Sequence, residues 1–262
     1  MLKKTLLAFS ILAVAGTAAA EDVTNPFYLA HQKQIGAITS VSMGRTVSKT
    51  DGLWSKSNTI IAKEDLQIGL TDSLALIGSF GNTWDRWKGT LSNNKTINDD
   101  ENIMWNAGLA WNILSGPARM QVSAQYGQDR FKNFDGEYKY ALTEMKLGYQ
   151  FKRILPYVTG GIEIPLFQRS GIKGFGGDKL IYNTKAGIYQ GKCEVWALDT
   201  GVRLSYDENT EGRMVAAEAE ASYYLTPKTT LGVYGNYGLD GHAKYGRDIY
   251  DKSAGVRLRL FF

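Results

Sequence analysis

The sequence holds few imidazole groups, the side chains used most often for general acid–base catalysis. Its two imidazoles are His31 and His242, and only His242 lies near carboxylates, those of Asp240 and Asp248. A histidine beside an aspartate could act as an oriented general base or bind a metal ion, although a solvated loop histidine is far more common. No zinc-type Cys/His spacing, phosphate-binding glycine loop or dinucleotide fingerprint is present. We therefore expect no enzyme activity, no metal and no other cofactor.

Charged residues recur at alternate positions on otherwise apolar segments. Glu218 and Glu220 alternate with alanines, and Arg257 and Arg259 alternate with valine and leucines. Such charges are stable away from bulk water only if they are paired or hydrated. Small Gly232 would let a long arginine reach across a neighbouring strand. We predict one ion-pair network inside a closed sheet, made of Asp199, Glu218, Glu220, Arg257 and Arg259.

A period of two in hydrophobicity indicates the elements that carry these charges. Met120, Val122, Ala124 and Tyr126 form one apolar face, with polar residues between them. The same period predicts an all-β chain forming a closed antiparallel transmembrane β-barrel, with an even number of strands as in bacterial barrels. The twelve predicted strands are 35–48, 57–70, 74–84, 102–113, 118–130, 137–151, 155–164, 179–189, 193–206, 212–225, 229–239 and 251–262.

Two places interrupt this pattern. Glycines weaken the alternation over residues 165–192, so a ten-strand barrel with one long loop there is the alternative. Glu64 falls on the apolar face of its strand, between Ala62 and Leu66. We expect that a β-bulge could turn Glu64 inward.

Strand length and aromatic placement favour a membrane barrel over a soluble β-sandwich. The clear strands are about eleven to fourteen residues long, which suits a tilted crossing of a bilayer. Aromatic rings concentrate near strand ends, where hydrocarbon meets headgroups. The rings predicted at the outer ends are Trp84, Trp105, Tyr126, Tyr206 and Tyr237. Those predicted at the inner ends are Trp111, Tyr149, Phe151, Tyr223 and Phe262.

The N-terminus has the order of a secretory signal peptide. Lys3 and Lys4 precede an apolar stretch and then small residues up to Ala20. We expect residues 1–20 to be removed, leaving 21–34 as a periplasmic segment and 35–262 as the barrel. Removal takes two lysines, so the formal charge falls from +4 to +2, which gives no electrostatic case for nucleic acid. The single cysteine, Cys193, cannot form an internal disulfide.

The C-terminal strand resembles the β-signal of outer-membrane barrel proteins. That signal has a polar residue, a glycine two positions later, apolar residues three and five beyond the glycine, and a terminal aromatic. The matching residues are Ser253, Gly255, Leu258, Leu260 and Phe262. The resemblance implies a Gram-negative outer-membrane location and the barrel-assembly machinery as a partner. As a class, the chain is similar to the small opacity-type and porin-like barrels.

Two hypotheses about function follow from these features. In the first, ion pairs close most of the lumen, and the barrel has a structural or surface-interaction role towards lipid, lipopolysaccharide or other cells. The polar loop at 85–101, with Trp84, Trp87 and Lys88 at its base, is then the candidate contact for an extracellular ligand. In the second hypothesis, the barrel is a narrow passive channel for small solutes.

Overall fold

Alternating side chains produce twelve antiparallel β-strands in the computed structural model. The structure describes residues 22–50, 53–91, 94–132, 136–169, 178–192, 194–243 and 247–262. The strands are β1 (Ile35–Thr50), β2 (Leu53–Gly69), β3 (Leu74–Leu91), β4 (Asn94–Ser115), β5 (Ala118–Phe131), β6 (Gly136–Tyr149), β7 (Ile154–Arg169), β8 (Ile181–Lys192), β9 (Trp196–Asp207), β10 (Gly212–Thr226), β11 (Thr229–Ala243) and β12 (Arg247–Phe261).

The sheet closes on itself as a barrel. Each strand pairs with its neighbour in the chain, and β1 pairs with β12 from Gly36↔Phe261 to Lys49↔Asp248. Closure leaves no edge strand with unpaired backbone groups, as a membrane requires. The prediction of twelve strands is confirmed. The ten-strand alternative is wrong, because β8 pairs along its length with both β7 and β9.

The barrel has two ends, which differ in the strands that begin and end there. The terminal end is where β1 begins and β12 ends, and the distal end is opposite. The predicted loop 85–101 lies at the distal end, but most of it is strand, because β3 and β4 stay paired up to Leu91↔Asn94. Pairing of backbone groups needs no apolar face, so polar sequence did not prevent strand formation. The side chains of Trp87 and of residues 89–99 lie outside the described part of the structure.

Apolar side chains cover the outside of the barrel. Phe80 and Val233 keep 54% and 59% of their surface exposed, whereas a water-soluble protein would bury most such side chains. Trp111 is outward near the terminal end, and Trp105 and Tyr126 are outward farther towards the distal end. This placement matches the predicted aromatic girdles. Within the described residues, we find no helix long and apolar enough to cross a membrane.

Glu64 keeps its place on the outward face. β2 pairs with β1 and β3 without a register shift, so the proposed bulge is wrong. The Thr39 hydroxyl donates a 2.7 Å hydrogen bond to Glu64 Oε2 from the neighbouring strand. A local hydrogen bond therefore holds this carboxyl group on the outer surface.

Candidate functional site

The lumen carries the predicted charges, and Glu220 of β10 lies at their centre. Its carboxylate pairs with the guanidinium groups of Arg257 and, at 2.5 Å, Arg259, both on β12. These two strands are separated by β11, which presents Gly232 between them. A Cβ at Gly232 would come within 3.0 Å of Glu220 Oε1 and 2.8 Å of Ser222 Oγ. The glycine therefore makes room for the arginines to cross a strand.

The other two predicted acids have different partners. Asp199 lies 3.2 Å from Lys185 Nζ, and Glu218 lies 2.9 Å from Arg203 Nε and 3.6 Å from Lys185 Nζ. The expectation that both acids pair with the β12 arginines is therefore corrected. Lys185 was missed because β8 alternates poorly in sequence, although its odd-numbered position shares the face of Tyr189. We call the resulting group the ion-pair belt: Lys185, Asp199, Arg203, Glu218, Glu220, Arg257 and Arg259.

The opposite wall of the lumen carries its own pairs at a similar depth. Lys63 Nζ lies 2.7 Å from Asp65 Oδ1 on β2, and Lys146 Nζ lies 3.4 Å from Glu144 Oε1 on β6. Both pairs join residues two apart on one strand face. Both pairs thus hold each charge close to one of opposite sign.

Residues 22–34, expected as a periplasmic segment, lie inside the terminal end of the barrel, and we call them the plug segment. Phe27 is 2% exposed and packs in a cluster with Leu155, Tyr157 and Tyr189 of the wall. Its ring lies over Gly148, where a Cβ would come within 2.9 Å of the ring. Apolar burial therefore anchors the middle of the segment.

Polar contacts anchor the start of the plug segment. The hydroxyls of Tyr189 and Tyr224 donate to Asp22 Oδ1 at 2.5 and 2.6 Å. Thr24 Oγ1 lies 2.6 Å from the Tyr189 hydroxyl and 3.1 Å from that of Tyr224. Hydrogen bonds to a charged carboxylate are stronger than neutral ones, so this cluster holds the segment firmly to β8 and β10.

The backbone of the plug segment is bound from the other side of the barrel. Asn112 Nδ2 and Gln121 Nε2 each donate to the carbonyl of Phe27 at 3.2 Å. Lys146 Nζ donates to the carbonyl of Pro26, also at 3.2 Å. The segment therefore crosses the lumen from β8 and β10 to β4, β5 and β6. Its apolar run, Phe27 to Ala30, is the feature of the sequence that indicates docking.

Space remains in the lumen beside these groups. A cavity of about 400 Å³ lies between the plug segment and the wall, and Arg257 and Asp199 are among its lining residues. A second cavity of about 260 Å³ is lined by belt residues together with Tyr234, Asn236 and Ser253. The wall of both is mainly polar, so both can hold water and polar solutes.

The residues of the predicted β-signal build the barrel seam. Ser253 Oγ donates to Asn236 Oδ1 at 2.8 Å, and the ring of Tyr234 lies over Gly255, within 2.7 Å of where a Cβ would stand. Leu258 and Leu260 occupy the outward face, in register with Thr39 and Ala37 of β1. Phe262 exchanges backbone hydrogen bonds with Ile35. Four of these residues thus lie on β12, the strand that closes the barrel, and Phe262 follows it directly.

The histidines stand apart from these features. His242 Nδ1 lies 3.6 Å from Asp248 Oδ1, whereas Asp240 lies 3.7 Å from Arg213 instead. His31 of the plug segment lies 3.7 Å from Asp72. In the described ranges, no three His, Cys, Asp or Glu side chains are grouped closely enough to hold a metal ion.

Several solved structures share this barrel architecture. An outer-membrane channel from Pseudomonas putida matches with a TM-score of 0.65 and 12% identity, covering 92% of this chain and all of that one. The chain has the fold of a bacterial outer-membrane β-barrel. The translocator domain of the autotransporter NalP from Neisseria meningitidis matches with a TM-score of 0.54 and 11% identity, covering 87% of this chain and 88% of that one. The toluene transporter TbuX of Ralstonia pickettii matches with a TM-score of 0.53 and 8% identity, covering 88% and 90%. No family model and no curated protein matches the sequence.

Proposed function

We propose that the protein is a narrow outer-membrane channel for small solutes, with the plug segment restricting its terminal end. The observation that carries this proposal is the polar lumen, which keeps cavities of about 400 and 260 Å³ beside the plug segment and the ion-pair belt. A barrel closed for a structural role alone would fill its lumen with packed side chains and leave little room for water.

The comparisons support the same proposal. The Pseudomonas putida barrel, which covers nearly the whole chain, is described as an outer-membrane channel, and TbuX as a transporter. In this proposal the terminal end faces the periplasm and the distal end faces outward, since the long extension of β3 and β4 lies at the distal end. The solute would enter from the distal end and meet the plug segment last.

A surface-interaction role is the second candidate. The paired extension of β3 and β4 at the distal end favours it, because 18 and 22 residues exceed what the bilayer requires. Such an extension would present residues 85–101 to an extracellular ligand or to lipopolysaccharide. This role is compatible with a channel and needs its own binding assay.

The proposal also covers how the protein is exported and assembled. Residues 1–20 would direct export and be removed, and the barrel-assembly machinery would bind the β12 strand through Ser253, Gly255, Leu258, Leu260 and Phe262. Cleavage before Glu21 would place the new N-terminus one residue from Asp22, which accepts hydrogen bonds from the Tyr189 and Tyr224 hydroxyls. The mature chain could then dock its first residues in the lumen without a long leader.

Single-channel recording in planar bilayers tests the channel. The mature protein should give small, infrequent currents, and a variant with residues 22–29 replaced by a glycine-serine linker should give larger and sustained ones. A linker replacing residues 116–117, the turn between β4 and β5, is the control and should behave like the parent. Absence of current in the linker variant, with the barrel shown to be folded by its resistance to unfolding in detergent, would refute the channel.

A further inference from the structure

Five carboxylates circle the distal half of the lumen. They lie at inward positions in the distal parts of β3, β5, β7, β9 and β12, and we call them the acid ring: Asp85, Asp129, Glu163, Asp207 and Asp251. Asp100 of β4 also faces the lumen, in register with Asp85. Four of them are spaced on every second strand. The ring therefore surrounds the lumen, and does not form a patch on one wall.

Among the described residues, neutral groups and not cations hold the carboxylates of the acid ring. Asp85 accepts from the hydroxyls of Ser57, at 3.3 Å, and Thr59. Glu163 Oε1 accepts from the Tyr138 hydroxyl at 2.8 Å. These donors fix the side chains without cancelling their charge.

Neutral groups also hold two of the remaining three members. Asp251 accepts from Thr46 Oγ1 and Asn236 Nδ2, each at 3.1 Å. Asp207 accepts from the backbone N–H of Asn209 at 2.8 Å, in the turn that follows β9. Asp129 Oδ1 is buried without a hydrogen-bond partner among the described residues.

The terminal half of the lumen differs in this respect. Every carboxylate of the ion-pair belt lies within 3.6 Å of a lysine or arginine nitrogen. Distal to Lys185 and Arg203, no lysine or arginine occupies an inward strand position among the side chains that the structure describes. Negative charge is therefore neutralised in one half of the lumen and left in place in the other.

We infer that the acid ring concentrates cations in the distal half of the lumen, so that the channel favours small cationic or neutral solutes over anions. This inference rests on the channel function proposed above and names the charge class of its solute. Rings of Asp and Glu side chains select cations by this means in other pores. Low-dielectric walls strengthen the effect by focusing the field along the axis.

The expected size of the effect follows from Coulomb's law with screening. Five unit charges around a narrow barrel should enrich monovalent cations over anions about tenfold at 0.1 M salt. Because the potential scales with the number of charges, neutralising two of the five should reduce this ratio to about fourfold. At 1 M salt the Debye length is about 3 Å, and the ratio should fall to about twofold.

A cysteine reporter measures this potential whether or not the pore conducts. Met104 points inward and pairs in register with Asp129, so Met104→Cys in a Cys193→Ser background places a thiol at the ring. The thiol is treated with a trimethylammonium and a sulfonate methanethiosulfonate reagent. Each rate is divided by that for a free thiol in solution.

The test compares two acid variants of matched chemistry. Asp129→Asn with Glu163→Gln neutralises two ring members and keeps their shape. Glu137→Gln is the control, since Glu137 lies on the outward face beside Lys139 at a similar height. We expect a cation-to-anion rate ratio of about ten in the parent and in Glu137→Gln, and about four in the double variant. A parent ratio of one or less, or an unchanged ratio in the double variant, would overturn the inference.

Reversal potentials in a KCl gradient separate this inference from the proposed channel. The plug-linker variant should pass a current that prefers potassium, and the double acid variant should lose much of that preference. A current without cation preference would overturn the inference and leave the channel intact. No current in any variant would refute the channel, and the reagent rates would still decide whether the ring attracts cations.

Discussion

Phe27 is the side chain whose loss should release the plug segment most directly. It is 2% exposed, and its ring lies edge-on to Tyr157, with ring centroids 6.3 Å apart. Phe27→Ala removes this ring and leaves a gap over Gly148, and the barrel strands keep all of their pairing. The substitution should therefore weaken docking of the segment more than it weakens the barrel.

The size of the effect can be worked from the burial of the ring. Truncating a fully buried phenylalanine to alanine costs about 3 to 5 kcal/mol. Taking about 3 kcal/mol for the docking equilibrium, with 1.4 kcal/mol for each factor of ten, the undocked fraction rises about a hundredfold. The hydrogen bonds of Asp22 and of the Phe27 carbonyl remain, so docking should be weakened without being abolished.

Single-channel recording and limited proteolysis measure this change together. In the Phe27→Ala variant, openings should be about a hundredfold more frequent, and the plug segment should be cut faster by a protease added on the terminal side. Gln32→Ala is the control, because Gln32 belongs to the same segment and is exposed. Equal opening frequency and equal cleavage in Phe27→Ala and the parent would refute the view that the buried ring holds the segment in the lumen.

Three further predictions concern assembly and the outer surface. Gly255→Val should lower outer-membrane assembly with little effect on export, because a Cβ there would meet the β1 backbone at 2.5 Å and the Tyr234 ring at 2.7 Å. Normal assembly, measured by membrane fractionation, would contradict this. Glu64→Leu should stabilise the barrel by about 1 kcal/mol in lipid vesicles, since it removes a lipid-facing carboxyl group that, among the described residues, accepts a hydrogen bond only from Thr39. A lower midpoint of urea unfolding would contradict this. N-terminal sequencing of the outer-membrane form should begin at Glu21, and unheated and boiled samples should migrate differently on gels, whereas an intact Met1 would contradict the cleavage.

The periodicity of the sequence was sufficient to predict the barrel. Alternation sets the face of every strand by local geometry, so the outward aromatics and the inward Glu220 and Arg257 could be assigned from residue spacing alone. The small Gly232 between their strands also indicated that the two could meet. Pairing of Glu220 with Arg257 and Arg259 depends on register across three neighbouring strands, each of which alternates clearly.

Only the tertiary structure decided which groups meet across the rest of the lumen. Lys185 forms ion pairs with Asp199 and Glu218 because β8 brings it to their depth in the lumen. That depth depends on the register and stagger of the strands, which local spacing does not determine. The acid ring likewise exists only once strands far apart in sequence close into a circle. The plug segment is the clearest case: residues 22–34 carry no period of two, and their binding site between Tyr189, Tyr224 and Gln121 forms only when the barrel has closed around them.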